Sequence, residues 1–267
     1  MTDPRLDMAL AERGLARSRT NAQALIAAGS VRVNGVTATK PSLRVSADAV
    51  VTVESTDHYV SRAAYKLRAA LDAFSSVDPG GRTVMDVGAS TGGFSQVLLE
   101  RGARRVLAIE VGHGQLAPDL IGESRLVLAE GFNARYMTPE LLREATGVTE
   151  PPTLVVGDLS FISLEMVLPA LRVSSASDAD FILLIKPQFE VGRGGITAGI
   201  VTRAADRAEA IHRVIQAAWR LGLGTAGIIP SPLLGSLGNH EYVVWLSPRV
   251  GQNPTEWVQT IMTLTGE

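Results

Sequence analysis

Four charged side chains stand where an alternating strand-and-helix chain would place chemistry: Lys66, Asp158, Lys186 and Glu241. Asp158 closes the apolar run "TLVVGD", and Lys186 closes "FILLIK" with Pro187 directly behind it. Glu241 opens "EYVVWL" immediately after the turn-forming "GN", and Lys66 lies on the helical stretch "SRAAYKLRAA". A lysine that follows five apolar residues borders low-dielectric surroundings, which favour the neutral amine and hence a general base. Taken singly, each also reads as a solvated strand end, an edge charge or a helix-surface charge. The histidines at 58, 113, 212 and 240 have no metal-ligand spacing, so no metal is expected. The absence of cysteine excludes disulfides, thiolate metal sites and cysteine nucleophiles.

A second feature is the loop "DVGASTGGF", residues 86 to 94, between the apolar run Thr83-Val84-Met85 and the helical run from Ser95. A P-loop needs Gly-Lys-Ser/Thr after its glycines, and no lysine follows until residue 186. A dinucleotide site needs G-x-G-x-x-G, whereas these glycines fall at 88, 92 and 93. Asp86, Gly88, Ser90 and Gly92 fit the acid-x-Gly-x-Gly-x-Gly pattern of S-adenosylmethionine sites, with serine at the middle glycine. An acidic strand end suits a sulfonium beside a zwitterionic tail, and Gly92 and Gly93 would admit a ligand close to the backbone. Glu110 ends the next strand, "VLAIE", where an acid can bind ribose hydroxyls. Gly88, Ser90, Gly92, Gly93, Phe94, Glu110, Asn133 and the acids Asp86 and Asp158 are the cofactor candidates, with Asn133 placed to meet adenine.

The elements that must position these residues are legible as alternating patterns from residue 61 to 267: "TVMDVG", "GFSQVLLERG", "RRVLAIEV", "TLVVGDLS", "LEMVLPALR", "DFILLIKPQ", "RAEAIHRVIQAAWRLG", "TAGIIPSPL", "EYVVWLSP". Such alternation implies an α/β body with a mostly parallel sheet and helices on both faces. Residues 1 to 60 read as a separate small α+β unit. Leu6 and Leu10 give a helical stripe ended by Gly14, and Ser18 caps a second helix with Ala22, Leu25 and Ile26 inward. Asn34-Gly35 then marks a hairpin, and Val50 to Val53 a last strand. The join is expected near residue 60.

Charge divides the same way. The whole chain of 267 residues carries −2, yet residues 1–45 hold seven Lys/Arg against three Asp/Glu, leaving −6 on the remainder. A basic head on an acidic body suggests that the head meets a polyanion. No run of 18 apolar residues occurs, and "MTDPRLDMALAERG" lacks the apolar core of a signal peptide, so a cytoplasmic protein is expected.

The stretch "RLD…L…RGLA-SR…A…LI-AG-VRVNG" closely resembles an S4 domain, a module that mostly binds structured RNA. That resemblance implies RNA contacts by Arg5, Arg17, Arg19, Arg32, Lys40 and Arg44, with Arg13 on the same small core, chiefly to phosphates. The order Lys-Asp-Lys-Glu resembles the tetrad of FtsJ-like ribose 2′-O-methyltransferases. With "VSR-A-KL", "D-GASTGGF--VLL-RGA", "GQL", "DLSFIS", "KPQFE-G" and "GN-EY", nearly the full length resembles the TlyA family, often labelled haemolysin. The resemblance implies a Rossmann-like class I methyltransferase body with a seven-stranded sheet. It also implies methyl transfer from S-adenosylmethionine to a ribose 2′-OH of cytidine in 16S rRNA, 23S rRNA or both. Lys186 would then deprotonate the hydroxyl, Asp158 would position Lys186, and Lys66 and Glu241 would complete the charge network. Two departures stand out: Glu110 where aspartate also occurs, and the join Asp57-His58-Tyr59-Val60 where a basic residue and Trp are expected. A membrane-active cytolysin would need an amphipathic or spanning segment, and none is found. A non-catalytic RNA-binding protein would not need the intact loop and tetrad.

Overall fold

The computed structural model describes residues 3–16, 19–27, 29–53, 58–192 and 195–266. The chain divides into two compact units between His58 and Tyr59. In the first, α1 (Leu6–Glu12) and α2 (Arg19–Ala27) pack on a small sheet of β1 (Val31–Val33), β2 (Val36–Thr37) and β3 (Val51–Val53). The strand order is β2-β1-β3, antiparallel throughout. Asn34 and Gly35 both take positive φ, 50° and 82°, the signature of the hairpin turn that fits twisted strands. Leu6, Leu10, Ala22, Ile26, Val31 and Val45 form the core. Ser18, the expected cap of α2, lies outside the described residues.

The second unit opens with α3 (Ala63–Ala73), then β4 (Thr83–Val87), α4 (Gly93–Glu100), β5 (Arg105–Ile109) and β6 (Leu126–Ala129). After α5 (Pro139–Thr146) come β7 (Leu154–Gly157), α6 (Leu164–Val173), β8 (Asp180–Ile185) and α7 (Pro187–Glu190). The unit ends with α8 (Ala204–Arg220), β9 (Gly224–Pro230), β10 (Tyr242–Ser247) and α9 (Val258–Thr265). Seven strands form one sheet in the order β6-β5-β4-β7-β8-β10-β9. Strands β4 to β8 run parallel, and β10 runs antiparallel to both its neighbours. Every residue of β4, β7 and β8 is buried, as uninterrupted apolar strands covered on both faces require.

Alternation along β4 assigns the two faces. Met85 and Val87 join the core under α6 and α8, whereas Val84 joins the core under α3 and α4. From β4 the chain steps outward through β5 and β6, then returns to the other side of β4 as β7. That reversal is a topological switch point, where open α/β sheets leave a crevice outside the carboxyl ends of their strands.

Candidate active site

The four charged residues of the sequence reading meet at this carboxyl edge. Asp158 follows β7, Lys186 follows β8, Glu241 precedes the antiparallel β10, and Lys66 reaches them from α3. Antiparallel pairing sets Tyr242 opposite Ile185, so the start of β10 lies beside the end of β8. Lys186 Nζ lies 2.6 Å from Asp158 Oδ1. Lys66 Nζ lies 3.3 Å from Asp158 Oδ2 and 2.7 Å from Glu241 Oε2. The result is one chain of alternating charge, Lys186–Asp158–Lys66–Glu241. Lys66, Lys186 and Glu241 are buried, which two cations and two anions tolerate only because each faces its opposite.

The tetrad borders a cleft of about 620 Å³, lined by Lys66, Lys186 and Glu241 and rimmed by Ser160, Phe161 and Leu237. Phe161 is 92% exposed, and its φ of 64° is an outlier for a bulky side chain. Its ring stands 5.3 Å from that of Phe189. Buried Asn239 organises the far wall: its Oδ1 accepts from Val201 N at 3.0 Å, and its Nδ2 donates to the Gly199 carbonyl at 2.8 Å. Gly235 tolerates no side chain easily, because a Cβ there would sit 2.6 Å from Glu241 Oε1.

The glycine loop lies next to the tetrad. Val87 pairs with Gly157, so Gly88 and Asp158 leave the sheet side by side. Gly88 has φ +80°, and a Cβ on it would stand 3.3 Å from the Asp158 carbonyl oxygen. Glu110 is buried at the end of the neighbouring strand. Its carboxylate accepts hydrogen bonds from Ser90 N at 2.9 Å, Gly112 N at 2.7 Å and Gln115 Nε2 at 3.4 Å. Glu110 thus ties the loop to the end of β5.

Several cofactor candidates have other duties. Phe94 turns into the core with Leu67 and Val97 rather than toward the crevice, because the second residue of α4 faces α3. Around Gly92 the space of a Cβ is taken by Leu120 and Leu116, and around Gly93 by Ser61 Oγ. At both positions the absence of a side chain admits neighbouring protein. Asp86 lies on the inward face of β4, fully buried, where Ser95 Oγ donates to its Oδ2 at 2.6 Å. Burial pushes the Asp86 carboxyl up to about 7, and its Oδ1 has no hydrogen-bond partner among the described residues. Asn133 is exposed after β6 and caps the turn that follows, accepting from Arg135 N at 3.0 Å.

A family model described as FtsJ-like methyltransferase matches residues 59–247. The chain belongs to the FtsJ-like methyltransferase family. A model described as S4 domain matches residues 4–51 of the first unit. The chain is 47% identical over 245 residues to the 16S/23S rRNA (cytidine-2'-O)-methyltransferase TlyA of Mycobacterium tuberculosis, covering 91% of this chain and 89% of that one. It is 35% identical over 240 residues to Hemolysin A of Brachyspira hyodysenteriae, covering 90% and 98%. A solved structure titled as a hemolysin from Streptococcus thermophilus is 32% identical with a TM-score of 0.76, covering 100% of this chain and 97% of that one. Aeropyrum pernix fibrillarin, solved with S-adenosyl-L-methionine, shares the fold at 15% identity and a TM-score of 0.52, covering 81% and 94%.

In the S4 domain the arginines are more constrained than the sequence suggested. Buried Asp7 accepts from Arg5 Nε, Arg19 Nε and Gln23 Nε2, each at 2.9 Å. These donors, Arg5 foremost, hold the Asp7 carboxyl far below the ordinary carboxylate range. Arg13 donates to the carbonyls of Ser46 and Ala49, and Arg44 to that of Asp3. Lys40 and Arg44 are exposed, Arg32 is half-buried, and Arg17 lies outside the described residues.

In the FtsJ-like body, sequence reasoning missed Ser160, Glu190 and Asn239. Ser160 accepts a hydrogen bond from Lys186 Nζ at 2.7 Å. Its signal was its place two residues past Asp158, in a loop leaving a strand at the ligand edge. Among the described residues, no cluster of three or more histidine or acidic side chains could hold a metal ion. No described helix is long and apolar enough to cross a membrane.

Proposed function

We propose that this chain transfers a methyl group from S-adenosylmethionine to a ribose 2′-hydroxyl of a cytidine in ribosomal RNA. The observation that carries the reading is the continuous Lys186–Asp158–Lys66–Glu241 chain beside the Gly88 loop. The residues present suit the cofactor. Glu110 spends three of about four acceptor positions on loop donors, which leaves room for a ribose hydroxyl. The unpartnered Asp86 Oδ1 is a buried acceptor beneath the same loop. Gly88, Ser90 and Glu110 would hold the nucleoside, with Asp86 below them and Asn133 flanking. When bound, S-adenosylmethionine supplies an activated methyl carbon on a sulfonium.

The chain's own residues then do the rest. After Lys186 has released a proton to solvent, its neutral Nζ takes the 2′-hydroxyl proton, and Asp158 beside it stabilises the ammonium that forms. Lys66 holds the other Asp158 oxygen and is itself fixed by Glu241, so the carboxylate keeps its aim. Positioning supplies most of the acceleration in such a displacement. The exposed Phe161 ring offers a face on which a base can stack. The S4 domain docks structured RNA through phosphate contacts, and the enzyme works on ribosomal particles in the cytoplasm.

The test is transfer of tritiated methyl to purified small and large subunits, followed by mapping of the modified nucleotide. A 2′-O-methylcytidine is the expected product. Label on a base, or none on either subunit, would overturn the proposal.

A further inference from the structure

Lys186 has a second partner beside Asp158. Its ammonium lies 2.6 Å from Asp158 Oδ1 and donates to Ser160 Oγ at 2.7 Å. A lysine nitrogen has three positions besides its bond to Cε, all donors when charged. In the neutral amine, one of the three becomes the lone pair. Ser160 takes one of them in a hydrogen bond, whereas Asp158 Oδ1 pairs with Nζ through charge and has no hydrogen-bond partner among the described residues. Ser160 and Lys186 line the same cleft.

We propose that Ser160 is a positioning residue: the ion pair with Asp158 draws Nζ into place, and the hydrogen bond to Ser160 Oγ sets the rotation about the Lys186 Cε–Nζ bond that turns the lone pair toward the ribose hydroxyl. This rests on the reading of Lys186 as the base. The transfer is simple in its balance. The proton leaves the 2′-oxygen, takes the lone pair of Nζ, and the resulting ammonium keeps its two contacts.

The geometry around Ser160 supports a built arrangement over a chance contact. The loop from Asp158 to Ser163 passes through the positive φ of Phe161 and is gripped at its far end by Glu190. The Glu190 carboxylate accepts from Ser163 Oγ at 2.6 Å and from Leu164 N at 2.9 Å. Glu190 ends α7, and Lys186 is the residue on which α7 begins. One short helix therefore carries the base at its start and, at its end, the carboxylate that pins the loop bearing Ser160. Glu190 is itself buried, which pushes its carboxyl up and makes its two hydrogen bonds costly to lose.

The test compares wild type, Ser160→Ala and Ser160→Thr in full-length enzyme under single-turnover conditions with saturating ribosomal subunits, from about pH 6 to about pH 9. Ser160 is exposed, so neither change opens the core. Ser160→Ala is expected to slow methyl transfer about 10- to 100-fold, the scale of a misaimed reacting group. The subunit concentration for half-saturation and the calorimetric affinity for S-adenosylhomocysteine are expected to stay unchanged. Ser160→Thr keeps the hydroxyl and should recover most of the rate. An active wild type matched by Ser160→Ala in rate would overturn this inference alone, as would a threonine variant as slow as alanine. A wild type that marks a base in place of a ribose would overturn it together with the proposed function.

Discussion

Lys66 and Glu241 are 175 positions apart in the chain, yet the Lys66 ammonium donates to Glu241 Oε2 at 2.7 Å in a buried pair. The Lys66 side chain is 11% exposed and that of Glu241 only 3%. Lys66→Ala leaves the Glu241 carboxylate buried without its cation, a loss expected to cost about 3–5 kcal/mol. Adding Glu241→Gln should return part of it, because a neutral amide needs no counter-ion. Urea denaturation of the two single variants and the double variant measures the coupling, expected at about 0.5–3 kcal/mol. Strictly additive losses would show that the two side chains do not sense each other.

Glu110 joins the glycine loop to the end of β5. Glu110→Ala removes the acceptor for Ser90 N and Gly112 N and the carboxylate offered to a ribose. S-adenosylhomocysteine affinity should fall by roughly 1–3 kcal/mol, the range for a hydrogen bond to a charged group. Calorimetry reads this directly, and wild-type affinity would remove Glu110 from the site.

How much of this was legible in the sequence depended on the kind of residue. Lys186 and Asp158 could be placed because long apolar strands leave no choice about which residue comes last. The mostly parallel sheet followed from alternation, while its seven strands and the tetrad followed from resemblance to a known family. The core packing of Phe94 was not legible, because a loop and the first turn of a helix look alike in sequence, while only packing decides that α4 turns its second residue toward α3. Gly93 was ambiguous for a related reason, since a glycine shows that something comes close without saying what. Here it is Ser61, more than 30 positions upstream. Asp7 was invisible as an organiser of Arg5 and Arg19, because a charge surplus counts side chains and not their partners.

Asp86 makes stability pH-dependent in a definite direction. Burial raises its carboxyl from 3.8 in the unfolded chain to about 7 in the folded one. Between those values the folded state binds the extra proton, so this group's contribution is fully present below 3.8 and is lost as pH rises through about 7. Asp86→Asn removes that loss. Denaturation of both proteins from about pH 5 to about pH 8 should show the variant gaining on wild type as pH rises, then a constant difference. A difference independent of pH would contradict the burial of an ionisable Asp86.

In the S4 domain, Arg19 and Lys40 should behave differently. Arg19 is one of the donors on buried Asp7, whereas Lys40 is exposed. If both touch phosphates, each alanine variant lowers the salt slope of RNA binding by about 0.7–0.9. Only Arg19→Ala should also speed hydrogen exchange across residues 5–51 of the full-length protein. Equal exchange in the two variants would mean that Asp7 does not depend on Arg19.

The central claim is that Lys186 is the base, and one measurement addresses it most directly: single-turnover methylation of saturating ribosomal subunits by wild type, Lys186→Ala and Lys186→Arg. Saturation removes binding from the reading, so the rate reports the transfer itself. Loss of general-base assistance is expected to slow Lys186→Ala by about 10²- to 10⁴-fold while cofactor and subunit affinity persist. Lys186→Arg should fare little better, because a guanidinium stays protonated and cannot accept the ribose proton. The account predicts two slow variants that still bind. A Lys186→Arg enzyme turning over at close to the wild-type rate would contradict it.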